Sequence, residues 1–103
     1  MSDRYVLVVS LWIHPGQEAA FEAFERDAAR VMAKNGGRID EAVRIEPAAG
    51  EADAPFEVHV VTFPDQAAAD SYRADPETAA LGERRAGIIA RTEVLAGRMS
   101  GPY

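Results

Sequence analysis

The side chains able to carry chemistry in this sequence are few. His14 and His59 are the two imidazoles, and either could serve as a general base or bind haem iron. His14 precedes Pro15 and reads equally well as a strand-end residue. His59 stands among Val58, Val60 and Val61 and should be buried, either as a hydrogen-bonded interface histidine or as a pocket residue. Burial disfavours its charged form unless Glu57 or a partner-chain carboxylate lies close. Trp12 could wall an aromatic ligand or pack in an interface. Tyr72 could turn its hydroxyl inward from a helix or leave it in water. Arg84 and Arg85 are adjacent, about 100° apart on a helix, so only one faces inward. Arg85 lies four after Leu81 and four before Ile89 and so shares their stripe. A buried guanidinium needs an anion, either Glu93 or an acidic ligand.

Much else is excluded. The chain has no cysteine, which removes disulfides, thiolate catalysis and cysteine-held zinc or iron–sulfur centres. The histidines have no metal-binding spacing, and no GxGxxG, P-loop or GxSxG occurs. No metal or other cofactor is expected. The formal net charge is −6, which repels phosphate backbones and anionic membranes. Met1-Ser2-Asp3-Arg4 lacks the pattern of a signal peptide, and the nine-residue run Tyr5 to Ile13 is too short to span a bilayer. The expected location is the cytoplasm, and the alanine and arginine content suggests a bacterial source. At 103 residues the chain is one domain. Its 48% apolar content includes 20 alanines, so the large apolar core is small and a partner subunit would help.

Periodicity gives the elements that must position these groups. Tyr5 to Ile13 (YVLVVSLWI) reads as a buried strand, ended by His14-Pro15-Gly16. Phe21, Phe24, Ala28, Val31 and Met32 form one stripe of a helix over Gln17 to Lys34, stopped by Asn35-Gly36-Gly37. Arg38 to Glu46 alternates, with Ile39, Val43 and Ile45 on one side. Pro47 to Pro55 is a loop, and Phe56 to Phe63 is a second apolar strand. Asp65 caps a helix over Gln66 to Arg73. Asp75-Pro76-Glu77 starts another piece, whose stripe is Leu81, Ile88 and Ile89. Thr92 to Arg98 is the last strand. Strand, helix, strand, strand, helix, strand predicts an α+β, ferredoxin-like βαββαβ fold, with a four-stranded antiparallel sheet and the helices on one face. The first and third strands should be central.

The helices leave one sheet face bare. Taking the more uniformly apolar set of each strand to face the helices assigns Tyr5, Leu7, Val9, Leu11 and Ile13, with Phe56, Val58, Val60 and Thr62, to that side. Val6, Val8, Trp12, His59, Val61 and Phe63 then lie opposite. That is too much apolar surface for a monomer, and a two-fold partner packed sheet to sheet would cover it.

The chain resembles the dimeric α+β barrel superfamily, and within it a family of small bacterial proteins of unknown function related to antibiotic-biosynthesis monooxygenases. The resemblance spans nearly the whole chain. It rests on Gly36-Gly37-Arg38, Phe63-Pro64-Asp65, Ala67 to Ala69 followed by Tyr72, Asp75-Pro76-Glu77, Arg84 or Arg85, and Val94-Leu95-Ala96-Gly97. The loop from Pro47 to Pro55 is longer than that family's. The resemblance implies a homodimer of ferredoxin-like domains. In the enzymes of the superfamily, the gap between helices and sheet holds the substrate. The haem-degrading branch uses a helix histidine with asparagine and tryptophan; here neither histidine falls on a helix and Asn35, the only asparagine, lies at a helix end, which disfavours that activity. RNA-binding domains of this topology need exposed aromatics amid basic residues, and these too are missing.

The resulting expectation is a small aromatic or acidic metabolite bound between sheet and helices. The chemistry would be cofactor-independent isomerisation or oxygenation, with His59 as base and Arg85 or Tyr72 orienting the anion. The alternative is a non-catalytic binding or interaction module whose pocket is filled by side chains. A pocket inside the dimer barrel stays open beside one under the helices.

Overall fold

The run Tyr5–Ile13 forms strand β1 and becomes an inner strand of the sheet. The computed structural model describes residues 4–103. After β1 come α1 (Glu18–Lys34), β2 (Arg38–Arg44), β3 (Glu57–Phe63), α2 (Gln66–Ala74), α3 (Pro76–Ala80), α4 (Gly82–Ile88) and β4 (Ile89–Gly97). The sheet order is β2-β3-β1-β4, with antiparallel pairing throughout. The expected ferredoxin-like fold is present, with β1 and β3 inside. No described helix is long and apolar enough to cross a membrane.

Capping follows the side chains. Asp65 accepts from the Ala68 amide at 2.8 Å and Asp75 from the Glu77 amide at 2.9 Å, with Pro76 opening α3. Gly36 takes φ 81° beyond the end of α1. The α1 stripe of Phe21, Phe24, Ala28, Val31 and Met32 is buried as predicted.

Three expectations change. In β3, Tyr5 lies opposite Phe63, Leu7 opposite Val61, Val9 opposite His59 and Leu11 opposite Glu57. Residues paired across an antiparallel ladder share a face. Glu57, His59, Val61 and Phe63 therefore face the helices, and Val58, Val60 and Thr62 face away. Burying Phe63 and Val61 decides this, since Phe63 alone contributes about 1.5–3 kcal/mol. Only Phe56, which precedes the strand, packs toward α1, edge-on to Phe21 at 5.4 Å.

In β2, the pairing shifts between Ile39 and Glu41, so Ile39 lies on the helix side and Val43 on the other. The extra residue, Asp40, breaks the alternation as a bulge does. Its carboxylate accepts from Arg38 at 2.5 Å and from the Thr62 hydroxyl at 3.0 Å. Finally, β4 begins at Ile89 rather than Thr92. The Leu81–Ile88–Ile89 stripe is thus split, with Ile88 ending α4 and Ile89 paired with Ile13.

The buried apolar residues form two clusters. Leu11, Phe21, Phe24, Ala28, Ile88 and Ile89 make one, and Met32, Val61, Phe63 and Ala69 the other. Gly37 is buried beside the second. A Cβ there would run into the Phe63 ring and stand 2.8 Å from Met32 Cγ. Gly37→Ala should lower stability by about 1–3 kcal/mol. Gly87→Ala, inside α4 with open space around it, should raise it by about 0.4–1 kcal/mol. Urea unfolding of both variants checks the contrast.

Candidate functional site

The parity of β3 carries two ionisable side chains under the helices. Glu57 is 8% exposed and His59 3%. His59 Nε2 lies 2.5 Å from Glu57 Oε2, and Glu57 Oε1 accepts from Arg44 Nε at 2.9 Å. Arg44 also reaches Glu22 at 3.3 Å and stacks over Phe56 at 4.0 Å. Glu57 accepts from Arg44, and as a carboxylate it can only accept. Nε2 of a neutral His59 therefore carries the hydrogen, leaving the Nδ1 lone pair toward Glu25, whose Oε1 is 4.0 Å away.

Between the two apolar clusters lies a cavity of about 270 Å³. Leu7, Val9 and Leu11 of β1 form its floor, and Phe24, Ala28 and Met32 of α1 part of its roof. Its polar lining includes Glu25, His59, Tyr72, Thr78, Arg85 and Thr92. Burial, chiefly, raises the Glu25 pKa above the ordinary 4.5. The Arg85 guanidinium, and His59 whenever its ring is protonated, pull it back, and Glu57 pushes it further up. Burial likewise raises the Tyr72 hydroxyl, reinforced by Glu25 and opposed by Arg85. The Tyr72 ring lies 5.8 Å from Phe63.

The structure thus brings His59, Tyr72 and Arg85 to one cavity and leaves Trp12 and His14 outside it. Trp12 sits on the sheet's other face. Its indole donates to Asp53 O at 3.1 Å, and Arg91 covers the ring at 3.8 Å. His14 is exposed, with Nε2 3.2 Å from Ala86 O. Arg85 is exposed at the cavity rather than buried, because the helical stripe beyond it ends at Ile88. It donates to Thr92 Oγ1 at 2.7 Å, and the expected partner Glu93 pairs with Arg91 at 3.1 Å instead. Arg84 turns to α1 and meets Asp27 at 2.5 Å. Glu25 escaped the sequence reading, although the signal exists. It falls four after Phe21 and seven before Met32, on the apolar stripe itself. Among the described residues, no group of three or more His, Asp or Glu could hold a metal ion.

No protein-family model and no curated protein matches the sequence. Its fold is shared with solved structures. One is a protein of unknown function from Rhodopseudomonas palustris, with TM-score 0.81, 15% identity, and coverage of 99% of this chain and 86% of that one. A protein proposed to be an antibiotic biosynthesis monooxygenase, from Nitrosomonas europaea, has TM-score 0.73, 14% identity and coverage of 99% and 95%. An uncharacterised NIPSNAP-like domain protein from Burkholderia xenovorans has TM-score 0.70, 17% identity and coverage of 100% and 92%. These likenesses establish the fold, a ferredoxin-like α+β sheet with helices on one face.

Burial of Glu25 has a measurable consequence. A raised pKa means folding favours the protonated carboxyl, so the stability it contributes is full below pH 4.5 and lost as pH rises through the folded pKa. Glu25→Gln, which stays neutral, should melt above the parent protein at pH 7. The gap should close below pH 4.5. Melting curves across that range check the sign.

Proposed function

We propose that this protein binds a small, apolar-bodied carboxylate in the cavity between sheet and helices and moves a proton on it without a cofactor. The observation that carries the reading is the cavity itself, about 270 Å³ with apolar walls, which a filled interaction module would not keep. At one place it meets the buried Glu57–His59 pair with Glu25, a cluster able to hold or release a proton. At another it meets Arg85, whose guanidinium hydrogen-bonds a neutral hydroxyl and can take a carboxylate in addition. Tyr72 offers a hydroxyl to orient the ligand. Oxygenation of the kind named for the Nitrosomonas europaea protein would begin with the same deprotonation, so isomerisation is the simpler reading of this site.

The working form in this proposal is a cytoplasmic homodimer. The Cα body is only 17 Å thick, and the sheet face away from the helices exposes Val8, Val43 and Leu95. A second copy on that face would bury roughly 2,000 Å² or more. Light scattering at micromolar concentration should give the dimer mass. Val8→Asp should yield monomer or aggregate, and a parent protein that is a stable monomer would refute the assembly.

Ligand binding is tested by thermal shift and calorimetry against aromatic carboxylates. Arg85→Met should weaken the best of them at least tenfold, about 1.4 kcal/mol. The melting temperature of the empty protein should fall only slightly, since Arg85 gives up a hydrogen bond to Thr92 and its longer-range attraction to Glu25 but no direct carboxylate contact. His14→Ala should leave affinity unaltered. Equal losses in the two variants would refute the placement of the ligand.

A further inference from the structure

We infer that Glu25 is the group that exchanges the proton with the ligand, and that the ligand class is an enolisable aromatic 2-oxo acid. The inference rests on the proposed binding of a carboxylate in this cavity and names the atoms that act there. His59 has one ring nitrogen committed to Glu57 at 2.5 Å and is 3% exposed. Glu25 lines the same cavity with its side chain 18% exposed, 4.0 Å in front of the imidazole. Of the two, the carboxylate is the one a ligand can touch.

Three groups facing one cavity then define what fits. Arg85, beside the Thr92 hydroxyl, takes a carboxylate. The Tyr72 hydroxyl can donate to an oxo oxygen. Glu25 can accept a proton from the carbon next to that oxo group. The apolar walls receive a ring. An aromatic 2-oxo acid carries these features in this order. In the step, the C–H bond of the β-carbon breaks and its proton passes to the Glu25 carboxylate. The electron pair forms the carbon–carbon double bond of the enol, and the oxo oxygen takes the Tyr72 proton. The reverse step returns both protons, so the enol and keto forms interconvert without oxidant or reductant. The burial that raises the Glu25 pKa strengthens it as a base at neutral pH.

The probe is phenylpyruvate in deuterium oxide. Proton NMR follows loss of the β-hydrogen signal above the buffer rate, and calorimetry gives the affinity. The expected result is exchange by the parent protein, with Glu25→Gln binding within about threefold of it but exchanging at least a hundredfold more slowly. Glu25→Asp, which withdraws the carboxylate by one carbon, should fold and exchange at least tenfold more slowly, and it serves as the test should Glu25→Gln not fold. Added formate should partly restore exchange to Glu25→Ala. Exchange by Glu25→Gln, or by Glu25→Asp in its place, within threefold of the parent overturns the role of Glu25. Binding of phenylpyruvate with no exchange overturns the inference while the proposed binding stands. No binding of phenylpyruvate, with binding of other aromatic carboxylates, overturns the 2-oxo acid class alone. No binding of any of them overturns the underlying reading as well.

Discussion

The contact between His59 and Glu57 is the constraint around which the rest of this fold is arranged. Two ionisable side chains two residues apart on a central strand must share a face, and here that face lies under the helices. Neither could remain there alone, because an unpaired buried carboxylate is strongly destabilising and a buried ring nitrogen without a partner loses its hydrogen bond. Arg44 resolves the difficulty from the neighbouring edge strand. It holds the second oxygen of Glu57 while its own exposed side reaches Glu22. The polar contacts run from the rim of the sheet to its centre, Glu22 to Arg44 to Glu57 to His59, so each buried group has a partner as burial increases.

The same contact accounts for the divided core. A strand reading Leu or Val at positions 57 and 59 would let the apolar clusters built on Leu11 and on Phe63 merge. Instead Val9, opposite His59, packs against both while they remain separate, and the cavity lies between them. A void in a core normally costs stability, because its lining lacks contact partners. That it sits beside the buried ionisable groups joins two departures from ideal packing at one place, as functional sites commonly do. Glu25 extends the pattern by placing a carboxyl on a helix stripe that is otherwise apolar.

Much of the architecture was legible in the sequence, because it is written in local signals. Asp65, Asp75-Pro76 and Asn35-Gly36 mark helix ends by capping chemistry, and the density of Tyr5–Ile13 marks a central strand. What failed was whatever depended on partners across the sheet. The two faces of β3 are nearly equal in apolar count, so only the register with β1 decides between them. The bulge at Asp40 arises from hydrogen bonds to Arg38 and Thr62, one of them far away in the chain, and no local periodicity contains it. Arg85 was placed by a helical stripe that ends sooner than Ile89 suggested. For the site, His59 and Tyr72 were found by residue type. A glutamate on a helix is ordinarily solvated, so only the spacing of Glu25 from Phe21 and Met32 marks it as inward-facing.

Electrostatics at the cavity bear on the sign of whatever enters. The chain carries net charge −6, which by itself repels an anion. Many of its cations are also occupied. Arg73, which lines the cavity, pairs with Asp70 at 2.8 Å, Arg84 with Asp27 and Arg91 with Asp53 and Glu93. An anion approaching any of these must displace a carboxylate already in place and gains little from the exchange. Arg85 differs, since its hydrogen bond goes to the neutral Thr92 hydroxyl. A carboxylate arriving there adds an ion pair without breaking one. The field of the whole molecule therefore weakens anion binding over its surface generally, and in the proposed function the local arrangement at Arg85 offsets it. On the proposed reading the acidity of the chain works as selectivity, disfavouring anions over the surface while Arg85, hydrogen-bonded to a neutral hydroxyl, takes one at the cavity.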